Sequence, residues 1–258
     1  MDAPIAAKPV KINRFLPYWA VLQADMRQTF HSWVYRAWVM LCLLAAVGYL
    51  VYRFGAYREA GMVQPATDLM SDLLRWTVFG SVTLIIVLTA GSITSERGTL
   101  ADSVLSRGIS RYQYFLGKWH ARVATMLGTF GAFCLIVLVG SFFLLHDENL
   151  SLTGSLVAMG VVAALLAAVI TCGVTISAIC NSTVLGIAVL WLVVYGAGFI
   201  LSLLPASYPS PDRALKSLPD ILRNSYDTQM VSRVAVGAIA ASALAAVIGL
   251  VCFARRDV

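Results

Sequence analysis

The chain has 258 residues, 59% of them hydrophobic and only 12% charged, with a formal net charge of +6 and a mean hydropathy of +0.81. Soluble domains carry about 25% charged residues. Half that share, with apolar runs near span length, defines an all-α polytopic membrane protein: a single transmembrane domain over 1–258, with no room for a soluble catalytic domain.

The first thirty residues are polar and mixed, without a short apolar core or a small-residue cleavage site, and read as no cleavable leader. Within them, RFLPYWAVLQADMRQTFHSW (14–33) puts Phe15, Tyr18, Trp19, Leu22, Met26, Phe30 and Trp33 at helical spacing, with Lys11, Arg14, Asp25 and Arg27 as polar neighbours. Such a helix either lies in the interface plane or extends the first span into the cytoplasm.

Six apolar segments follow, at about 34–53, 76–94, 123–145, 154–180, 183–204 and 234–254, each close to the roughly 20 residues a lipid-spanning helix needs. The fourth ends in Thr171, Thr175, Ser177 and Asn181, and Asn181-Ser182-Thr183 turns it into the fifth as a tight hairpin. Gly128-Thr-Phe-Gly131, Gly173-xxx-Ser177 and Gly237-xxx-Ala241 carry the small-residue spacing of close helix packing. Between the last two spans, Pro205, Pro209, Pro211 and Pro219 break any long helix, and short helices are predicted after Pro211 and Ser217. That loop reads as a cap on an outer gate or as a linker.

Lys and Arg counts set the orientation. With both termini inside, Lys8, Lys11, Arg14, Arg27, Arg36, Arg97, Arg107, Arg111, Lys118, Arg122, Arg255 and Arg256 face the cytoplasm, twelve against seven outside. The positive charge is thus mostly a topology signal, and no nucleic-acid partner is needed to explain it. No ionisable residue is predicted deep in a span, which argues against a proton-coupled transporter. No histidine accompanies the intramembrane serines as a hydrolase would require, and GxxxxGK[ST] is missing. Cys42, Cys134, Cys172, Cys180 and Cys252 have no metal-type spacing. Energy-driven work would need another chain.

The polar island SERGTLADSVLSRGISRYQYFLGKWHAR (95–122) separates spans two and three. Ser95 is placed to cap a short helix that carries Leu100, Val104 and Leu105 on one face and stops near Gly108. Ser110 is placed to cap a second helix that feeds the third span. An apolar ridge with basic flanks suits docking in a groove. Arg111, Lys118 and Arg122 also read as anchors to anionic headgroups, and Glu96 as a solvated charge at a helix start.

The order Glu96-Arg97, Gly98-Thr99-Leu100, Leu105-Ser106, Ser110-Arg111 and Gly117-Lys118 resembles the signature of type-2 ATP-binding-cassette exporter permeases, with Gly108 where a proline is common and Ala101 where a Glu is common. The six-span layout, the N-terminal amphipathic interfacial helix, the outer segment and the Phe253-x-Arg255-Arg256-Asp257 ending are similar as well. The resemblance implies a membrane subunit without an ATPase site or a cofactor of its own, paired with a second permease copy as homodimer or heterodimer. ATP and Mg would sit on a separate cytoplasmic ATPase subunit. It implies a cytoplasmic coupling helix at 99–106, with Glu96, Arg97, Gly98, Thr99, Leu100, Val104, Leu105, Arg111 and Lys118 as the coupling residues, Glu96 and Arg97 bracing the helix junction by an ion pair with each other or with the ATPase. Trp76, Trp191 and Tyr195 are candidates for the path of a solute or lipid-like substrate, or anchors at the interface. The expected location is the inner membrane of a prokaryote. A six-span scaffold that recruits a soluble partner through the same loop without transport is the competing reading.

Overall fold

A computed structural model describes residues 15–60, 66–96, 109–144, 150–204, 208 and 210–255. They form helices α1 (Leu16–His31), α2 (Trp33–Ala60), α3 (Ala66–Ala90), a 3-10 turn (Thr94–Glu96), α4 (Arg111–Leu144), α5 (Leu152–Ile179), α6 (Thr183–Leu203), the short α7 (Pro211–Lys216) and α8 (Leu218–Leu222), and α9 (Thr228–Arg255). Six of them, α2, α3, α4, α5, α6 and α9, are long and apolar enough to cross a membrane. The chain is an all-α, multi-pass membrane protein. The predicted coupling helix, with Arg97, Gly98, Thr99, Leu100, Val104 and Leu105, lies outside the described residues.

The centre of the bundle is α5, which packs on α9, α3, α4, α6 and α8. Its inward face runs Ala158, Val162, Leu166, Ile170, Val174 and Ala178, all at most 2% exposed. The polar tail of this helix works between helices. Thr171 accepts a hydrogen bond from the Trp119 indole of α4 at 3.0 Å, and Thr175 donates to the Ala245 carbonyl of α9 at 2.8 Å. Ser177 accepts from the backbone N–H groups of Ile93 and Thr94, at 2.8 and 3.1 Å. Bonds of this kind tie helices together where no hydrophobic force acts between them.

Close packing uses other small residues than most of the motifs suggest. At Gly173 an added Cβ would stand 2.0 Å from Thr89 Oγ1, so α3 and α5 touch only because there is no side chain. An added Cβ at Gly128, Gly131 or Gly237 would meet nothing within 4 Å among the described residues, so these glycines make no close helix approach there. The hairpin between α5 and α6 turns over Cys180, Asn181 and Ser182, as the NST sequence predicts.

At the opposite end of the bundle, Ser210 caps α7 by accepting from the Arg213 N–H, and Leu218, Ile221 and Leu222 of α8 are fully buried. The carbonyl end of α8 meets the start of α5, where the Ser151 N–H donates to the Leu222 carbonyl at 3.0 Å. A Cβ on Gly154 would stand 2.2 Å from the Ile221 carbonyl oxygen, and backbone there cannot swing aside. Gly154→Ala is therefore expected to lift α8 from α5 and destabilise the bundle by about 1–3 kcal/mol. A thermal melt in detergent checks this; an unchanged midpoint would contradict it.

Several helices outrun their apolar segments. α3 begins at Ala66, so it contains Asp68, Asp72 and Arg75, and α4 begins at Arg111. The 34 residues of α4 span about 51 Å, against a hydrocarbon core of about 30 Å, so its first turns project beyond the membrane interior. α1 packs on that projecting part. Its contacts advance in the same sense as those of α2. Val21 meets Gly117, Asp25 meets Lys118 and Arg122, Tyr35 meets Thr129 and Leu50 meets Gly140. Ser32, extended at φ −61° and ψ 128°, separates α1 from α2.

Candidate functional site: the junction at the start of α4

The first turns of α4 join three other elements. Ser110 and Gln113 form a reciprocal cap. The Ser110 hydroxyl accepts from the Gln113 N–H and the Gln113 side chain accepts from the Ser110 N–H, both at 3.2 Å. One turn in, each residue reaches a different partner. Arg111 donates to the Ala254 carbonyl at the end of α9, where a cation also suits the helix dipole. The ring of Tyr114 stacks on Phe253, with centroids 6.0 Å apart, and Phe115 meets the same ring at 6.2 Å. Gly117 is the contact point for α1; a Cβ there would stand 2.9 Å from Val21 Cγ1.

Lys118 completes the junction. Its ammonium is 2% exposed by residue and donates to Asp25 Oδ1 at 3.0 Å, the Ser92 carbonyl at 2.8 Å and Glu96 Oε1 at 2.6 Å. Three acceptors saturate its three N–H bonds. The second oxygen of Glu96 accepts from the Tyr114 hydroxyl at 2.7 Å. Asp25, also 2% exposed, is held side-on by Arg122. The Nη2 arm is a hydrogen bond of 3.2 Å to Oδ1, and the Nε arm is an ionic contact of 3.0 Å to Oδ2. Two acids and two bases thus form a nearly dry, electroneutral quartet. Removing ions from water costs several kcal/mol each, and only this degree of pairing offsets it.

The geometry corrects two expectations. Lys118 and Arg122 are buried partners of Asp25, whereas headgroup anchors would be exposed. Glu96 is 14% exposed in its side chain and paired with Lys118, so it is not a solvated charge. The buried Lys118 and Arg122 sit at the projecting end of α4, before its apolar run. On α1 the face against the protein is Val21, Asp25 and Thr29, while Trp19 on it, Phe15 just before it and Trp33 at the start of α2 are 61%, 71% and 80% exposed. The helix is present, but its aromatic ridge divides: Trp19 faces outward, whereas the Tyr18 ring meets His120 of α4 at 5.9 Å and Phe30 meets Tyr35 of α2 at 5.6 Å.

Asp25 and Arg122 were absent from the predicted site. The available signal was the stripe Val21-Asp25-Thr29 at i, i+4, i+8, facing Lys118 and Arg122 at i, i+4. Ser95 donates backward to the Gly91 carbonyl at 2.6 Å, and the helix it was expected to open lies outside the described residues. The aromatic candidates sit elsewhere. Trp191 and Tyr195 pack at 4.6 Å on α6, with the Tyr195 hydroxyl 3.4 Å from that of Thr83 on α3. Trp76 is on α3 and 76% exposed.

No family model matches the chain, and no curated protein matches it. The fold and this junction define a six-span, all-α membrane protein whose third-span helix ties the N-terminal helix, the end of α3 and the end of α9 into one block.

Proposed function

We propose that this chain is the membrane-spanning permease subunit of an ATP-driven exporter of the type-2 ATP-binding-cassette class, moving a solute or lipid-like substrate. In this reading it pairs with a second permease copy. A separate cytoplasmic ATPase subunit binds ATP and Mg and docks through the 95–122 loop. The observation that carries the reading is the meeting of Glu96 and Lys118, 22 residues apart, in a buried pair. Both belong to the motif order that resembles the family. They flank the segment on which Leu100, Val104 and Leu105 would meet the ATPase. Movement imposed on that segment reaches the spans only if its roots are rigid, and the quartet makes them so.

The proposed location is a prokaryotic inner membrane with both termini cytoplasmic, from the twelve-to-seven charge asymmetry. A cysteine placed at residue 257 is expected to react with an impermeant thiol reagent only after the membrane is opened. Labelling of intact cells would reverse the topology. Transport is tested by reconstituting the complex in liposomes. Stimulation of ATP hydrolysis by a solute supports an exporter, and hydrolysis indifferent to every solute supports the scaffold.

A further inference from the structure

A cavity of about 160 Å³ lies between α2, α3 and α4, lined by Trp38, Cys42, Ser81, Phe130, Phe133 and Ile136 among others. It sits between two pins that hold α2 to α4. Tyr35 hydrogen-bonds Thr129 below it, and Leu50 packs on Gly140 above it, where an added Cβ would stand 2.7 Å from Leu50 Cδ1. Helices pinned at both ends cannot collapse onto the gap. The wall is carbon. Ser81 Oγ and Trp38 Nε1 have no partner among the described residues, and both are buried with essentially no accessible surface, so neither offers a bond to a guest. A cavity of this kind excludes water, and engineered apolar cavities of about 150 Å³ take up benzene. On the rim, Ala132 is exposed and Ile136 is 42% exposed. Beside Ala132 on α4, Leu135 and Val139 are exposed apolar residues of a membrane-spanning helix.

We propose that this cavity is a binding site for one acyl chain of a bilayer lipid, which enters between α2 and α4 past Ala132. Hydrocarbon is the medium at that depth, and a chain end supplies the dispersion contacts that the empty lining lacks. The site stands independently of the transport reading.

The test uses the full chain in nanodiscs of phosphatidylcholine brominated at mid-chain. Trp38 emission is taken as the difference between the wild type and Trp38→Phe. Bromine is expected to quench Trp38 at least twofold more in the wild type than in Ala132→Phe, which blocks the mouth, with the other tryptophans unaffected. Should Ala132→Phe fail to give a monodisperse folded species, Cys42→Phe blocks from the opposite wall. Equal quenching with the mouth open and blocked would overturn the site, since Trp38 would then meet lipid from outside. Absence of quenching in the wild type would overturn it too, the expected result if a second copy of the chain covers the mouth.

Discussion

Replacing Asp25 with Ala is expected to destabilise the protein by about 3–5 kcal/mol, the usual cost of removing one partner from a buried ion pair. The substitution leaves Lys118 and Arg122, 2% and 6% exposed, facing Glu96 alone, with an uncompensated positive charge in a nearly dry site. The first structural consequence falls on α1, whose packing rests mainly on α4. Faster proteolysis at Arg27 should accompany a lower melting temperature in detergent. Asp25→Leu combined with Lys118→Met restores electroneutrality, with Arg122 and Glu96 left, and is expected to be milder than the sum of the single changes by about 1–3 kcal/mol. Strict additivity would mean that the two groups do not interact and that the quartet is not a unit.

The second large effect is expected from Leu100→Asp with Val104→Asp. These residues form the apolar ridge of the loop, and on the proposed reading they are buried against the ATPase. Each lost apolar anchor is worth about 1.5–3 kcal/mol, so the double change should weaken the complex by roughly 10²-fold or more. The melting temperature should stay put, because the quartet and the span packing are untouched. Retained ATPase binding with full activity would remove the loop from the interface. Loss of binding together with a lower melting temperature would assign the ridge to the fold of this chain instead.

Hydropathy found the spans where lipid dictates the sequence. The fifth, read as 183–204, is helix Thr183–Leu203, and the fourth, read as 154–180, is Leu152–Ile179. It was least informative where helices leave the membrane. α3 starts ten residues before its apolar run and α9 six before, because a helix continues through polar residues without a change in backbone and no lipid is there to demand hydrophobicity. Capping chemistry filled part of that gap, since Ser110 marks the start of α4. The quartet was out of reach for a different reason. Asp25, Glu96, Lys118 and Arg122 are separated by up to 97 residues, and a charge on an isolated helix looks the same whether solvent or a partner faces it. Gly117 is similar: one glycine in a polar stretch, explained only by Val21 lying against it.

Whether this chain works with a separate ATPase is decided by a mild-detergent pull-down of the tagged protein from its native membrane, followed by mass spectrometry. A nucleotide-binding subunit is expected in near-equal amount, lost on Leu100→Asp with Val104→Asp. Recovery of no ATPase, whether alone or with an unrelated soluble protein, would contradict it and leave the loop as the surface of a membrane scaffold.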